Sequence, residues 1–447
     1  MSAYREQWER LLTPRRKTAE GQRQDAMDSV RTPFLADYDR IVFSSSFRRL
    51  GRKTQVHPLV RNDHIHNRLT HSLEVSSVGR SLGLYVGEEL RLRGDLPEPF
   101  TPEHIGQIIQ AASLAHDIGN PPFGHAGEEA IRDWFIEASK GEYFRELSPA
   151  AIADFVCFDG NAQGFRVINT LENNKDRGGL RLTFPVIGTL VKYPCTAYDA
   201  QGMGKCKFNF YAAEQALFAE MFTALGLKGA TGFQRHPLSY LLEAADDICY
   251  RIIDMEDARE LGIISYADIT AVMEHLLLSE ERDEKRLQTM DSDRRRAGML
   301  RTVAMGRIIV SVAHTFMEQY ANIMSGTLEN GLLEYAREDV AGFMQAAKSV
   351  FDEKIMNDPQ KTALEIGTYS LYRRLLDVFV PACFHYVHGA PMSYQETRAI
   401  TLMGANAPDR KEGAYGACLR VLDFVAGMTD EYATFISRQF SGTSGRG

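Results

Sequence analysis

The feature that most restricts this chain is a helical period that recurs along most of its length. Residues 66–90, "HNRLTHSLEVSSVGRSLGLYVGEEL", set Leu69, Leu73, Val75, Val78, Leu82 and Val86 near the spacing of one helix face. "PEHIGQIIQAASLAHDIG" (102–119) repeats the pattern, with Pro102 and Glu103 in its first turn. "HPLSYLLEAADDICYRIIDMEDA" (236–258) is a third long helix, opened by Pro237. Further helices are expected over 211–225, 301–323, 337–351, 363–378 and 412–438. The Gly- and aromatic-rich stretch 189–209 reads as a loop or short hairpin, and 227–237 as a connector into the third helix. There is no internal repeat, and only "SGTSGRG" (441–447) reads as a disordered tail. The expected fold class is all-α, mostly helical.

Several function classes drop out on bulk grounds. A chain of 447 residues with 44% hydrophobic residues has ample material for a core. A formal charge of −8 argues against a protein built to coat nucleic acid. Local basic runs remain, "FRRLGRK" (47–53) and "DRRRAG" (293–298), and an anionic ligand needs such positive potential. Cys157, Cys195, Cys206, Cys249, Cys383 and Cys418 form no CxxC pair, which suggests reduced thiols and neither a disulfide framework nor a zinc knuckle. The start, "MSAYREQWERLLTPRRK", lacks the apolar core of a signal peptide. No uncharged apolar run reaches the roughly 18–20 residues that span a bilayer. A cytoplasmic enzyme is expected, with no membrane partner.

The chemistry gathers around "SLAHDIGNPPFGHAGEEA" (113–130). His116 and Asp117 stand where an apolar helix must stop, because Gly119, Pro121 and Pro122 cannot continue it. Beyond the break, His125 and Glu128 are three apart and share one face of a new helix. His71 taken alone reads as a core or surface group, and His116-Asp117 alone could simply cap. Asp246, preceded by two alanines, could approach another helix closely or serve in a surface pair. Taken together, two imidazoles and two carboxylates from three helices are the ligand types that suit a divalent first-row metal. Such a site can generate hydroxide and polarise a phosphoryl group.

The order His71, His116-Asp117, Asp246 resembles the H…HD…D signature of the HD metal-dependent phosphohydrolase superfamily. The blocks "FRRLGRKTQV", "NRLTHSLEV", "AHDIGNPPFGHAGEEA", "FDGNAQGFRV", "LVKYP", "RHPLSYLLEAADDICYRIIDMEDA" and "DFVAGMTDEYA" resemble, in order, those of the deoxyguanosinetriphosphate triphosphohydrolase family. The likeness runs from about residue 30 to about 438. It implies an N-terminal helical segment (1–35), an HD-domain helical core (36–275) and a helical C-terminal extension (276–440) with the base pocket and oligomer contacts. It implies hydrolysis of a dNTP, with dGTP the favoured guess, to a deoxynucleoside and inorganic triphosphate, and control of dNTP pools.

The same resemblance assigns roles. His71, His116, Asp117 and Asp246 would ligate the metal, Mg2+ or Mn2+ first, with Fe2+, Co2+ or Ni2+ as alternatives. Asp247 is the adjacent alternative to Asp246, about 100° away round the helix. Asp246 is preferred because it shares an i, i+4, i+8 stripe with Tyr250 and Asp254. Tyr250 would pack against C2′ and exclude a 2′-hydroxyl, while Asp254 and Gln55 would accept and contact the 3′-hydroxyl. His125 would be the general acid toward the 5′ oxygen, or an in-line nucleophile, with Glu128 orienting it. Arg68 would fork onto the α-phosphate. Asn120, Lys192 and Tyr193 are further phosphate or base-side candidates, and Asp159 and Asn161 either line the site or cap a helix. A homo-oligomer, hexamer or tetramer, is implied, as is binding of single-stranded DNA or an allosteric dNTP. The rivals are an HD phosphatase or phosphodiesterase, and a nucleotide-sensing regulator with little turnover.

Overall fold

The computed structural model describes residues 4–18, 21–28, 30–57, 62–173, 179–230, 232–277 and 284–442. Helices make up most of it, as the period predicts. The one sheet among the described residues is a two-stranded antiparallel ribbon, Arg15–Thr18 against Gly21–Gln24. It lies in the N-terminal segment expected to be helical, after a single helix Arg5–Leu11. The expected tail falls beyond residue 442 for most of its length, outside the described residues.

Eight helices position the site. They are α1 (Arg68–Arg93), α2 (Pro102–Ala115), α3 (Gly124–Ala138), α4 (Gly160–Arg166), α5 (Pro237–Glu260), α6 (Pro359–His388), α7 (Gly413–Ala426) and α8 (Asp430–Phe440). Asn67 starts α1 by accepting the Leu69 and Thr70 N–H groups on its side chain. His236 starts α5 in the same way, its Nδ1 accepting the Leu238 N–H at 3.2 Å. Helix α2 stops at Ala115, four residues short of the apolar pattern. The chain then turns tightly, with the Ile118 N–H donating to the Ala115 carbonyl at 3.1 Å. That turn frees His116 and Asp117 from the helix wall.

Two other helices also divide. The stretch 301–323 falls in Asp293–Glu318 and Tyr320–Ser325, and 412–438 becomes α7 and α8. Thr429 caps α8, and the Asp430 carboxylate turns back to accept the Thr54 N–H at 2.8 Å and the Phe123 N–H at 3.0 Å. The stretch 189–209 contains a short helix, Ala197–Gly202, and no hairpin. On α1, Leu73 points outward, 42% exposed, while Val75, Val78, Leu82 and Val86 are buried.

The buried side chains form two clusters. One gathers α1, α2, α5 and the helices Asp293–Glu318 and Glu338–Val350. The other gathers α3, α6, α7 and α8. Helices from both sides of residue 275 therefore share the first cluster, and α3 packs with the C-terminal helices. The Pro121-Pro122 break is where the chain crosses from one cluster to the other.

Cys157 and Cys206 correct the expectation of reduced thiols. They are bonded as a disulfide, with Cα atoms 4.8 Å apart and a sequence separation of 49. Tertiary packing brings them together, so their spacing carried no signal. Cys195, Cys249, Cys383 and Cys418 are free.

Candidate metal and phosphate site

His71 projects from the first turn of α1, His116 and Asp117 from the turn after α2, and Asp246 from the middle of α5. The ligand atoms of His71, His116 and Asp117 lie within 4.8 Å of one another. Asp246 Oδ1 stands 2.9 Å from His71 Nε2 and 3.5 Å from His116 Nε2. Asp247 points elsewhere. Its charged neighbours are Asp246, Lys192, Glu243 and Arg251, and burial pushes its carboxyl up to about 7.

These residues fit a divalent cation on two observations. The His116 Nδ1–H donates to the Ser113 carbonyl at 2.6 Å, which leaves Nε2 as the lone-pair nitrogen. That Nε2 and the Oδ2 of Asp117 are buried and make no hydrogen bond. Buried polar atoms without partners are rare, and here two of them face one cluster of ligand-type groups.

Asp117 is held firmly from outside the cluster. Arg68 donates to its Oδ1 at 2.9 Å, and the Asn120 side chain donates to the same oxygen. Arg68 Nε remains buried and unpartnered. The Asn120 carbonyl accepts from Lys53 Nζ at 2.6 Å, and Lys53 also donates to the Ala426 carbonyl at 2.7 Å. Burial, aided by the Arg49 charge, brings the Lys53 ammonium down to about 7. Lys53 thus ties the His-Asp turn to α7.

Across the break, Phe123 and Gly124 adopt φ of 63° and 54°, a left-handed pair that redirects the chain into α3. A Cβ on Gly124 would stand 2.5 Å from the Arg68 guanidinium. His125 follows, exposed, with Nδ1 3.7 Å from Glu128 Oε2 and Nε2 3.9 Å from Glu129 Oε1. Glu128 is buried beneath it. Its Oε1 accepts the Gly160 N–H at 2.7 Å, and its Oε2 lies 3.6 Å from Lys207 Nζ and 3.7 Å from Arg132. Burial alone would raise this carboxyl, but His125, Lys207, Arg132 and the Gly160 N–H outweigh it and bring it down to about 2. Glu128 in turn holds the His125 imidazole above its ordinary range. A Cβ on Gly160 would meet Asn120 Oδ1 at 2.5 Å and Glu128 Oε1 at 2.9 Å, so a larger residue would displace those two side chains.

A cavity of about 280 Å3 opens beside His125, lined among others by Gln55, Tyr250, Phe351, Lys361 and Glu365. Gln55 Oε1 is buried without a partner. The Tyr250 ring leans on Phe351, with centroids 5.2 Å apart. One turn further along α5, Asp254 is buried, its Oδ2 unpartnered and its carboxyl raised well above the usual range by burial and by Asp257. The cavity therefore brings together Gln55, His125 and Tyr250, and Asp254 is not part of its wall. Lys192 and Tyr193 are not part of its wall. Lys192 pairs with Glu243 at 2.9 Å, and the Tyr193 N–H donates to Asn209. Asp159 caps α4, accepting the Asn161 N–H at 2.8 Å, and its Oδ2 lies 3.3 Å from Lys207.

Sequence reasoning missed Lys53, Arg132, Lys207 and Asp430. Lys53, Lys207 and Asp430 act through contacts far away in sequence, whereas Arg132 reaches Glu128 within its own helix and the Phe158 carbonyl beyond it. Lys207 sat in a stretch read as a loop, where a lysine beside aromatic residues gave no particular signal.

A match to the HD domain family covers residues 68–156, from Arg68 through Glu128 but short of Asp246. A deoxyguanosinetriphosphate triphosphohydrolase-like protein of Pseudomonas aeruginosa is 45% identical over 98% of this chain and 99% of its own length. One of Synechocystis is 36% identical over 98% of this chain and 100% of its own length. A deoxyguanosinetriphosphate triphosphohydrolase of Salmonella arizonae is 30% identical over 78% of this chain and 76% of its own. No helix among the described residues is long and apolar enough to cross a membrane.

Proposed function

The chain belongs to the deoxyguanosinetriphosphate triphosphohydrolase-like family of HD-domain hydrolases, and on that footing we propose that it hydrolyses a dNTP to a deoxynucleoside and inorganic triphosphate. The observation that carries this reading is the convergence of His71, His116, Asp117 and Asp246, with two orphaned ligand atoms, together with a cavity of about 280 Å3 whose wall includes Tyr250, one turn along α5 from Asp246. A divalent cation bound by those four side chains would supply Lewis acidity at the α-phosphoryl group. Mg2+ and Mn2+ are the first candidates, then Fe2+, Co2+ and Ni2+.

The chain's own groups do the rest. Water adds at the α-phosphorus, giving up a proton to solvent, and the bond to the 5′ oxygen breaks. His125, held protonated by Glu128, donates its proton to the departing 5′ oxygen. Glu128 keeps the ring oriented and stabilises its charged form, and Lys207 and Arg132 keep Glu128 ionised. Arg68 must divide its guanidinium between Asp117 and a phosphate oxygen, and its free Nε leaves that capacity. Tyr250 closes the space a 2′-hydroxyl would need, while Gln55 and Asp254 receive the 3′-hydroxyl. The preference for dGTP, a role in setting dNTP pools and assembly into a hexamer or tetramer belong to the same proposal. Lys192 and Tyr193 would join only by moving toward the triphosphate.

The test is chromatography of the products from each dNTP and from GTP, with Mg2+ or Mn2+. Deoxynucleoside plus intact triphosphate supports the reading, and the rate ranking names the base. Monophosphate plus pyrophosphate would replace it with another phosphohydrolase, and no turnover under any condition would favour a sensor.

A further inference from the structure

Glu128 is enclosed by two short segments, residues 157–160 and 206–207, which a disulfide joins. Cys157 is bonded to Cys206, and the Phe158 carbonyl accepts from Arg132 Nε at 2.7 Å. Asp159 Oδ2 lies 3.3 Å from Lys207 Nζ, and the Gly160 N–H donates to Glu128 Oε1 at 2.7 Å. On the other arm of the disulfide, Cys206 immediately precedes Lys207, whose Nζ is 3.6 Å from Glu128 Oε2. The crosslink thus joins the segment that presents an amide to this carboxylate to the segment that presents a cation. Residues 205–208 lie in no helix or strand, so little repetitive hydrogen bonding fixes Lys207 in place.

We propose that Cys157 and Cys206 form a reversible thiol–disulfide couple, exchanged by low-molecular-weight disulfides, that sets how tightly Lys207 and the Gly160 N–H hold Glu128. The proposal rests on the part given to Glu128 above. Cys206 is the half-buried partner and Cys157 the fully buried one. In the oxidising direction the Cys206 thiol loses its proton to solvent and attacks a small disulfide, RSSR, releasing one thiolate, RS−. Cys157 then loses its proton and attacks the Cys206 sulfur of the mixed disulfide, releasing the second RS−. The two thiolates take up the two protons, the protein is oxidised by two electrons, and RSSR is reduced to 2 RSH. Cys195, whose thiol lies 3.6 Å from the Lys207 carbonyl, does not compete. Burial and then the Asp199 charge push it up to about 11, which keeps it protonated.

The experiment is a titration of the full chain across mixtures of reduced and oxidised glutathione. In each mixture, alkylation and mass spectrometry report the state of each cysteine, and initial rates report kcat and KM for the best dNTP. The expected result is a roughly tenfold fall in kcat, with a smaller change in KM, that tracks conversion of the Cys157–Cys206 disulfide to two thiols. Cys206→Ser should stay at the reduced value in every mixture. Cys157→Ser should match it, and if burial makes that variant unfold, the Cys206→Ser result stands by itself. A crosslink that serves stability alone would shift the melting temperature and leave kcat flat, and that outcome overturns the proposal. So does a kcat response that survives in Cys206→Ser, or a pair that never oxidises across the titration. Glu128→Gln separates this failure from failure of the underlying reading. Full activity in that variant removes Glu128 from the reaction and the proposal with it. A crippled Glu128→Gln beside a flat titration refutes the couple alone.

Discussion

Asp246 Oδ1 stands 2.9 Å from His71 Nε2, joining the middle of α5 to the first turn of α1. Asp247, its neighbour, faces Lys192 and Glu243 instead. Asp246→Ala should therefore lose bound metal, read as metal content after loading and desalting, and lose turnover by at least about a hundredfold. Asp247→Ala should keep its metal. The reverse pattern would exchange the two assignments.

His125→Ala should retain metal and nucleotide affinity while kcat falls by a factor of about 100 to 10,000. Because Glu128 raises the His125 imidazole, the acid form persists to higher pH than an ordinary histidine. The alkaline limb of the kcat profile, where the acid is lost, should then move to lower pH in Glu128→Gln. An unmoved limb would mean that another group donates the proton.

Tyr250 borders the cavity and rests on Phe351. Tyr250→Ala removes the ring proposed to exclude a 2′-hydroxyl, and the ratio of kcat/KM for dGTP over GTP should drop roughly tenfold. Tyr250→Phe should preserve it, because the ring and not its hydroxyl fills that space. Competition assays with both nucleotides would measure the ratio, and an unchanged value in Tyr250→Ala would assign the selection elsewhere.

His236 caps α5 through Nδ1 and donates from Nε2 to the Leu11 carbonyl at 3.1 Å, an arrangement that only the neutral ring can make. Burial lowers its pKa from 6.5 to about 4. As pH falls below 6.5 the unfolded chain takes up the proton before the folded one. The stability due to neutral His236 is thus complete above about 6.5 and is lost progressively toward 4, amounting to about 3 kcal/mol. Thermal unfolding of wild type against His236→Asn should show a shallower decline in the variant over that window. Parallel curves would show that other groups dominate acid destabilisation.

Much of the site was legible because its signals are local. A helix period places His71, Tyr250 and Asp254 on faces, and Gly119 with the two prolines forces the chain to turn directly after His116-Asp117. The i, i+3 spacing of His125 and Glu128 survives in α3. The long core helices follow from the same periodicity, although α2 ends early because the turn after Ala115 takes its last residues.

The sequence by itself determined the residue types, their order along the chain and the helical class, since these depend on propensities and spacing within a few turns. Tertiary structure alone decided which groups meet. It made the Pro-Pro break a crossing between two cores and turned Asp246, not Asp247, toward His71. It also set Lys207 against Glu128 and brought Cys157 to Cys206. Those contacts join segments tens to hundreds of residues apart, and their geometry comes from how whole helices pack, which no local pattern encodes.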